Sequence, residues 1–223
     1  MPNWCQNSVK LVAPDTQVFD KFVEHMETHC NYVPPASTSL IAEDKDEPAG
    51  FCGYFIPEPN YDLAEIDPAH PDLHKDTTYR MPGWWDFRVG NWGTKWEINC
   101  DLEMLDIDDE ELSITMHFDS AWSPPTGVYE AAVDQGWKVD ATYCEPGCDF
   151  IGYFNNEEYE VTFALGDRTS TDAPEWLIDD YSYEYDCIEE YQRECDVEEL
   201  SREEFVKKWG EDYAQDWDNA KQA

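Results

Sequence analysis

Hydrophobic and polar positions divide the first part of the chain into short predicted elements. Residues 7–13 (NSVKLVA) have the composition of a strand, and the apolar residues from Val18 to Met26 recur with the spacing of a helix face. Residues 31–81 are rich in Pro, Asp and Glu, so we expect an irregular insertion there, with one strand at residues 51–56. Four tryptophans in residues 84–96 predict a short helix with a buried edge.

The middle of the chain predicts a second set of elements. Ser123 fits the N-cap of a helix whose apolar stripe ends at Gly136. Strands are predicted at residues 102–105, 112–118, 137–143, 150–154 and 159–165. We expect an acidic turn between the first two strands and a hairpin formed by the last two.

The order of these elements matches a split βαβ arrangement. Such a domain is α+β, with an antiparallel sheet of ferredoxin-like topology and two helices on one face. We expect this domain to span residues 1–166, with the irregular insertion at about residues 31–81 and the extra hairpin at its end.

The composition becomes more acidic after Gly166, and residues 167–223 predict a helical extension. Two amphipathic helices fit this segment. On the first we expect an inward face formed by Cys187, Ile188, Tyr191 and Cys195. Ser201 and Glu204 have the spacing of a capping box at the start of the second helix. Its aromatic residues recur in steps of four, at Phe205, Trp209, Tyr213 and Trp217.

The charge balance limits the possible partners. Against 14 Lys and Arg stand 51 Asp and Glu, a formal net charge of −37 at pH 7, so direct binding to a nucleic-acid backbone is disfavoured. No stretch approaches the roughly 18 apolar residues of a membrane span, and the first residues lack the features of a signal peptide. We therefore expect a folded protein of the host cell cytoplasm, with its eight cysteines reduced and mostly buried.

Chemical motifs are weak in this sequence. Cys144 and Cys148 with His70 and His74 supply residue types that bind zinc, but their spacing differs from that of zinc knuckles, so we expect no metal. Paired carboxylates arise by chance in so acidic a chain, and no Ser-His-Asp order or phosphate-binding loop is present. We therefore expect a non-enzymatic protein without a cofactor.

A small-molecule-binding protein or enzyme is the alternative. The tryptophans of residues 84–96 could stack a planar ligand, although indoles at this spacing are more often core residues. Asp119 ends a predicted strand and is the acid of most interest. The residues that would line such a pocket are Asn91, Lys95, Asp119 and Trp122.

Three tryptophan-containing strings carry a resemblance to a known family. They are residues 1–7 (MPNWCQN), 91–96 (NWGTKW) and 118–125 (FDSAWSPP). Together they resemble the YubB-like (Api-type) ferredoxin-like domain proteins of phages and conjugative plasmids, over residues 1–165. The resemblance implies a ferredoxin-like fold and an accessory role in a mobile element, and it implies no catalytic residues.

Charge and resemblance together favour an anti-defence inhibitor. Such a protein would present carboxylates in place of DNA phosphates and occupy the basic groove of a host nucleic-acid-binding enzyme. An even spread of the charge falls short of the charge density of B-DNA by about a factor of two to three, so mimicry requires a concentrated acidic face. The candidate partner-binding residues are Asp179, Asp180, Glu184, Asp186, Glu189, Glu190, Glu194, Asp196, Glu198 and Glu199.

Overall fold

The computed structural model of the chain describes residues 3–30, 49–59, 84–98, 105–166 and 171–221. These residues belong to two compact units, residues 1–162 and residues 163–223. The first unit contains most of a β-sheet, and the second is largely helical. Along the described ranges, no helix combines the length and the apolar character needed to cross a membrane.

Six strands of the described residues form an antiparallel, open sheet that organises the first unit. Its strands are β1 (Trp4–Val12), β2 (Leu105–Asp108), β3 (Ser113–Ala121), β4 (Lys138–Glu145), β5 (Phe150–Asn155) and β6 (Tyr159–Ala164). They lie in the order β2-β3-β1-β4-β5-β6, with β1 in the interior of the sheet. Asn7 of β1 pairs with Phe118 of β3 on one side and with Tyr143 of β4 on the other. Segments that are distant in sequence are therefore joined through β1.

The core of this unit lies between one face of the sheet and a layer of helices. The helices are α1 (Thr16–Cys30), α2 (Phe51–Phe55), α3 (Trp84–Asn91) and α4 (Thr126–Asp134). The ring of Phe22 on α1 lies with its centroid 5.1 Å from that of Trp137 and 5.6 Å from that of Phe55. Val9 and Leu11 of β1 are fully buried in the same cluster. These three aromatic side chains therefore fill the core between the sheet and the helices.

The opposite face of the sheet carries exposed polar side chains on β1 and β3, and we call this part of it the open face. Successive side chains of a strand point to opposite faces, so residues 4, 6, 8 and 10 of β1 face away from the core. Gln6, Lys10, His117 and Asp119 are all exposed. Polar side chains at the centre of the sheet are therefore accessible from this side.

Several predicted elements are confirmed. The strand predicted at residues 7–13 is β1, the helix over Val18 to Met26 is α1, and the predicted hairpin consists of β5 and β6. The helix predicted before Gly136 is α4, and Gly136 follows it with a φ of 91°. Helices and an antiparallel sheet together confirm the α+β class. Of the predicted insertion, residues 31–48 and 60–83 lie outside the described residues.

The strand predicted at residues 51–56 is wrong, because these residues form helix α2. Phe51 and Phe55 lie one helical turn apart and are both buried. The carboxylate of Glu97 accepts hydrogen bonds from the backbone N–H groups of Cys52 (2.7 Å) and Gly53 (2.9 Å). Such N–H groups in the first helical turn have no partner within their own helix. Because the cap comes from a residue far along the chain, the local pattern does not reveal it.

The strand predicted at residues 102–105 is confirmed at Leu105, its one described residue. Strand β2 begins at Leu105 and continues through Asp108 into the predicted acidic turn, while residues 102–104 lie outside the described residues. It pairs with β3 at the edge of the sheet. An edge strand can leave most of its side chains in solvent, which is why Asp106 and Asp108 fit there.

The second unit contains four α-helices in its described part: α5 (Glu175–Asp180), α6 (Ser182–Glu199), α7 (Arg202–Trp209) and α8 (Ala214–Ala220). The predicted capping box is confirmed, because the Ser201 hydroxyl accepts from the Glu204 N–H and the Glu204 carboxylate accepts from the Ser201 N–H. The last predicted helix is not continuous. Gly210, with a φ of 98°, ends α7 after Trp209.

The predicted inward face of α6 is wrong for its cysteines. Cys187 and Cys195 are exposed, whereas Tyr185 and Val197 are buried. The side chains of the other two predicted inward residues, Ile188 and Tyr191, lie outside the described residues. The predicted burial of the cysteines is confirmed in the first unit for Cys5, Cys52 and Cys144.

Asp196 of α6 connects this helix to α7. Its carboxylate accepts a hydrogen bond from the Trp209 indole (2.8 Å) and pairs with the Lys208 ammonium (2.5 Å). Burial raises the pKa of Asp196, but the hydrogen bonds from Lys208 and Trp209 outweigh that effect and hold the pKa below its usual value. Asp196 is therefore a structural residue of this unit.

Replacing Glu97 tests the cap of α2. We expect Glu97→Gln to lower the free energy of unfolding by about 2 kcal/mol, because one carboxylate oxygen facing a backbone N–H becomes an amide donor. Urea denaturation measures the change. Glu130→Gln, at an exposed position of α4, is the matched control and should be nearly neutral. Equal effects of the two substitutions would contradict the capping role.

Replacing Asp196 tests its link between α6 and α7. We expect Asp196→Asn to cost about 1–2 kcal/mol at neutral pH, with exposed Glu194→Gln as the control. Because the folded pKa is lowered, the contribution is complete above the usual Asp pKa of about 3.9 and is lost as the pH falls through the lowered value. The difference in free energy of unfolding between the parent chain and Asp196→Asn, followed by circular dichroism, should therefore narrow as the pH falls below about 3.9. A difference that does not change with pH would contradict this role.

Candidate functional site

Three distant segments of the first unit meet at one end of the sheet. They are the start of β1, the loop after α3, and the turn between β3 and α4, which contain the three tryptophan strings. The backbone N–H of Trp122 donates to the Asn3 carbonyl (2.9 Å), and the Ser123 hydroxyl donates to the Gly93 carbonyl. The predicted N-cap role of Ser123 is therefore wrong, and α4 begins at Thr126.

A buried hydrogen-bond network holds the ends of β1 and β3. The Asn7 amide donates to the Ser120 hydroxyl (2.8 Å) and the Cys5 carbonyl (2.8 Å), and its oxygen accepts from the Tyr129 hydroxyl (3.1 Å). The Ser120 hydroxyl in turn donates to the Ser123 carbonyl (2.8 Å). Because a buried polar group without a partner is costly, these bonds restrict the turn to one arrangement.

Thr94 links the loop after α3 to the end of β3. Its buried hydroxyl accepts from the Ala121 N–H and donates to the Ala121 carbonyl, both at 3.1 Å. At the preceding residue, Gly93 with a φ of 87°, a Cβ atom would lie 3.0 Å from the Pro124 carbonyl oxygen. The loop and the turn therefore approach too closely for a larger residue at this position.

Trp122 has a backbone conformation that large residues rarely adopt. Its φ of 71° lies in the left-handed region, which costs roughly 1–2 kcal/mol for a residue other than glycine. Burial does not explain this conformation, because the side chain is 40% exposed. The hydrogen bonds on either side of the residue hold it in place, and the turn displays its indole at the surface.

Four side chains at this end of the sheet form the indole cluster: Trp4, Lys95, Trp96 and Trp122. The ring centroids of Trp4 and Trp96 are 5.6 Å apart. The Lys95 ammonium lies 4.7 Å from the centroid of Trp96 and 5.0 Å from that of Trp122. These distances allow cation–π attraction to both rings. The cluster therefore combines a positive charge with aromatic surfaces.

The structure brings together two of the four predicted pocket residues, Lys95 and Trp122. Asn91 ends α3, where its amide donates to the Phe87 carbonyl (2.8 Å). Asp119 is exposed on the open face of the sheet, directly opposite Gln6 of β1. Asn91 therefore has a structural contact of its own, whereas Asp119 remains accessible.

Sequence reasoning missed Trp4 as a member of the cluster, whereas Trp96 is among the tryptophans of residues 84–96 that could stack a planar ligand. Trp4 and Trp96 both belong to the strings that carry the family resemblance, so the signal was present in the sequence. What the sequence does not give is the contact between them, because β1 and the loop after α3 are separated by a long stretch of chain.

Three cysteines of the described part of this unit are poorly suited to act as nucleophiles. Burial raises the pKa of the Cys5 and Cys52 thiols far above the usual range. At exposed Cys148, a hydrogen bond with Glu145 raises the pKa. Since the thiolate is the reactive form, these groups are poor nucleophiles at neutral pH. Within the described residues, which exclude His70 and His74, no group of three or more His, Cys, Asp or Glu side chains is placed to hold a metal ion.

The predicted partner-binding residues lie on α5 and α6 of the second unit. Their side chains do not all face solvent equally. Three are only partly exposed: Glu184, Glu189 and Asp196. Seven are exposed: Asp179, Asp180, Asp186, Glu190, Glu194, Glu198 and Glu199.

An exposed row of glutamates follows one side of α6. Glu190, Glu194 and Glu198 succeed one another in four-residue steps, which places them about 6 Å apart along the helix axis. We call these three residues the acidic stripe. Asp196 is not part of it, because its carboxylate is engaged by Lys208 and Trp209. The candidate contact surface is therefore narrower than the sequence predicts.

Comparisons with known proteins give no family for the chain. No protein family, no curated protein and no solved structure matches it. The resemblance to the YubB-like proteins therefore stays a prediction from the three tryptophan strings. The indole cluster and the acidic stripe are the two candidate functional surfaces of the described residues.

The strain at Trp122 can be measured with two substitutions that both remove the indole. We expect Trp122→Gly to be more stable than Trp122→Ala by about 1 kcal/mol, because only glycine adopts a φ of 71° without steric cost. Urea denaturation of both variants gives the difference. In the middle of β1, Gln6→Gly should instead be less stable than Gln6→Ala. If alanine is as stable as glycine at residue 122, the turn is not strained.

Proposed function

We propose that this chain is a non-enzymatic acidic binding protein of a phage or plasmid that acts as a DNA mimic in the cytoplasm of a host cell. Its partner would be a host nucleic-acid-binding defence enzyme, whose basic groove it occupies and inhibits. The observation that carries this proposal is the concentration of carboxylates on α6.

The charge density of α6 approaches that of a nucleic-acid strand. The helix carries eight acidic residues and one arginine over 18 residues. With a rise of about 1.5 Å per residue, its net charge amounts to about one negative charge per 4 Å of axis, against about 3.4 Å per phosphate along one strand of DNA. Without Asp196, which pairs with Lys208, the helix presents about one net negative charge per 4.5 Å, a spacing close to that of one DNA strand and wider than the roughly 1.7 Å of the duplex.

The charge is less concentrated elsewhere in the chain. Residues 1–162 contain 32 acidic and 8 basic residues, a net charge of −24. Residues 163–223 contain 19 acidic and 6 basic residues, a net charge of −13 in a much shorter segment. This asymmetry favours α6 over the first unit as the region that contacts a basic partner.

An exposed aromatic residue accompanies the acidic stripe. Tyr183 is 74% exposed and precedes Glu190 by seven residues, so both lie on the same side of α6. Tyrosine is among the residues that contribute most to protein–protein binding. The side of α6 that carries the stripe therefore offers both charge and an aromatic contact.

The strand order supports a ferredoxin-like assignment for the first unit. Strands β1 to β4 lie in the order β2-β3-β1-β4, with α1 and α4 connecting them as a split βαβ unit requires. Strands β5 and β6 extend this sheet. We propose the ferredoxin-like class on this order and on the YubB-like resemblance.

A second candidate function is small-molecule binding at the indole cluster. The specific observation in its favour is the Lys95 ammonium lying over two indole rings. This function concerns the first unit and does not depend on α6.

Capture from a bacterial lysate tests the proposed mimicry. We expect the immobilised full chain to retain a DNA-binding protein at about 50 mM salt, and to release it at about 200 mM salt or on addition of duplex DNA. The triple variant Glu190→Gln, Glu194→Gln, Glu198→Gln should bind this protein at least about tenfold more weakly, because it loses three charged contacts.

The matched control changes the net charge equally at other exposed positions. It combines Asp20→Asn, Glu24→Gln and Glu130→Gln, all in the first unit. It should bind as the parent chain does. Retention that is indifferent to salt and to DNA, or an equal loss in both triple variants, would count against the acidic stripe.

A further inference from the structure

The Lys95 ammonium lies among aromatic faces in a chain dominated by acids. Acidic residues outnumber basic ones 51 to 14, and Lys10, Arg202 and Lys208 each pair with a carboxylate. No carboxylate of the described residues lies within 4 Å of the Lys95 ammonium. The described part of the chain therefore does not neutralise this charge by direct pairing, and an anionic group from outside can approach it.

The surroundings of Lys95 suit a flat ligand with polar edges. Trp4 and Trp122 are 48% and 40% exposed, so each has aromatic surface available. Alternation along β1 places Trp4 on the same open face as Gln6, which lies opposite Asp119. An amide and a carboxylate on this face can bond with the N–H and O–H groups at the edge of such a ligand.

We infer that the indole cluster binds a nucleoside monophosphate, an inference that rests on the second candidate function. The base stacks on an exposed indole of Trp4 or Trp122. The phosphate accepts hydrogen bonds from the Lys95 ammonium. Asp119 accepts a hydrogen bond from an amino group of the base or from a ribose hydroxyl.

The negative net charge of the chain favours a ligand with one phosphate over a nucleic-acid strand. Each additional phosphate of a long strand would lie against a chain of net charge −37, so polymers are repelled. A single phosphate in contact with Lys95 is attracted locally, because charges beyond about 8 Å are largely screened at physiological ionic strength. The site therefore selects mononucleotides over nucleic-acid strands.

Nuclear magnetic resonance of the indole N–H groups in the full, ¹⁵N-labelled chain tests the inference. The probes are AMP, adenosine, ribose 5-phosphate and the neutral sugar maltohexaose, each titrated to about 10 mM. We expect AMP to shift the signals of Trp4, Trp96 and Trp122 in a saturable manner, and adenosine to bind about tenfold more weakly. Lys95→Gln should remove the advantage of AMP over adenosine without altering the binding of adenosine.

The control variant is Trp85→Phe, which changes an exposed indole on α3 and should leave AMP binding unchanged. Equal binding of AMP and adenosine, or an unchanged advantage of AMP in Lys95→Gln, would overturn the inference. If only maltohexaose shifts the cluster, the nucleotide inference fails while small-molecule binding at this site stands. If no probe shifts it, both fail, and neither outcome bears on the acidic stripe.

Discussion

A net charge of −37 is the constraint that the rest of the structure accommodates. Self-repulsion of this size opposes any compact state, so carboxylates that turn inward need specific partners. Glu97 meets the free N–H groups of α2, and Asp196 meets Lys208 and Trp209. In both cases an acid becomes a structural element, whereas the glutamates of the acidic stripe remain available to a basic partner.

Buried hydrogen bonds also stabilise the end of the sheet at which the indole cluster lies. Asn7, Thr94 and Ser120 fasten three distant segments through buried hydrogen bonds. Their combined effect is to hold Trp122 in a strained conformation at the surface. Strain of this kind persists only where the surrounding structure enforces it, and such places are often functional. The indole cluster and the acidic stripe are therefore two separate candidate surfaces with different chemistry.

The sequence predicts those parts of the molecule whose cause is local. Strand β1, helix α1 and the hairpin of β5 and β6 follow from periodicity and turn residues, and they are confirmed. Helix α2 depends on Glu97, and the inner face of α6 depends on contacts with α7, so local patterns mislead at both places. Contacts between distant segments also limit the prediction of the indole cluster, because the sequence indicates Lys95 and Trp122 but not their neighbour Trp4.

The most direct test of the mimicry account is phage plating on host strains that each carry one nucleic-acid-directed defence system, such as a restriction nuclease or an RNA-guided nuclease. If the account is right, expression of the chain restores plating in at least one strain. The control triple variant of the first unit also restores it, and the triple variant of the acidic stripe does not. Failure to restore plating in every strain, or equal activity of the two variants, would contradict the account.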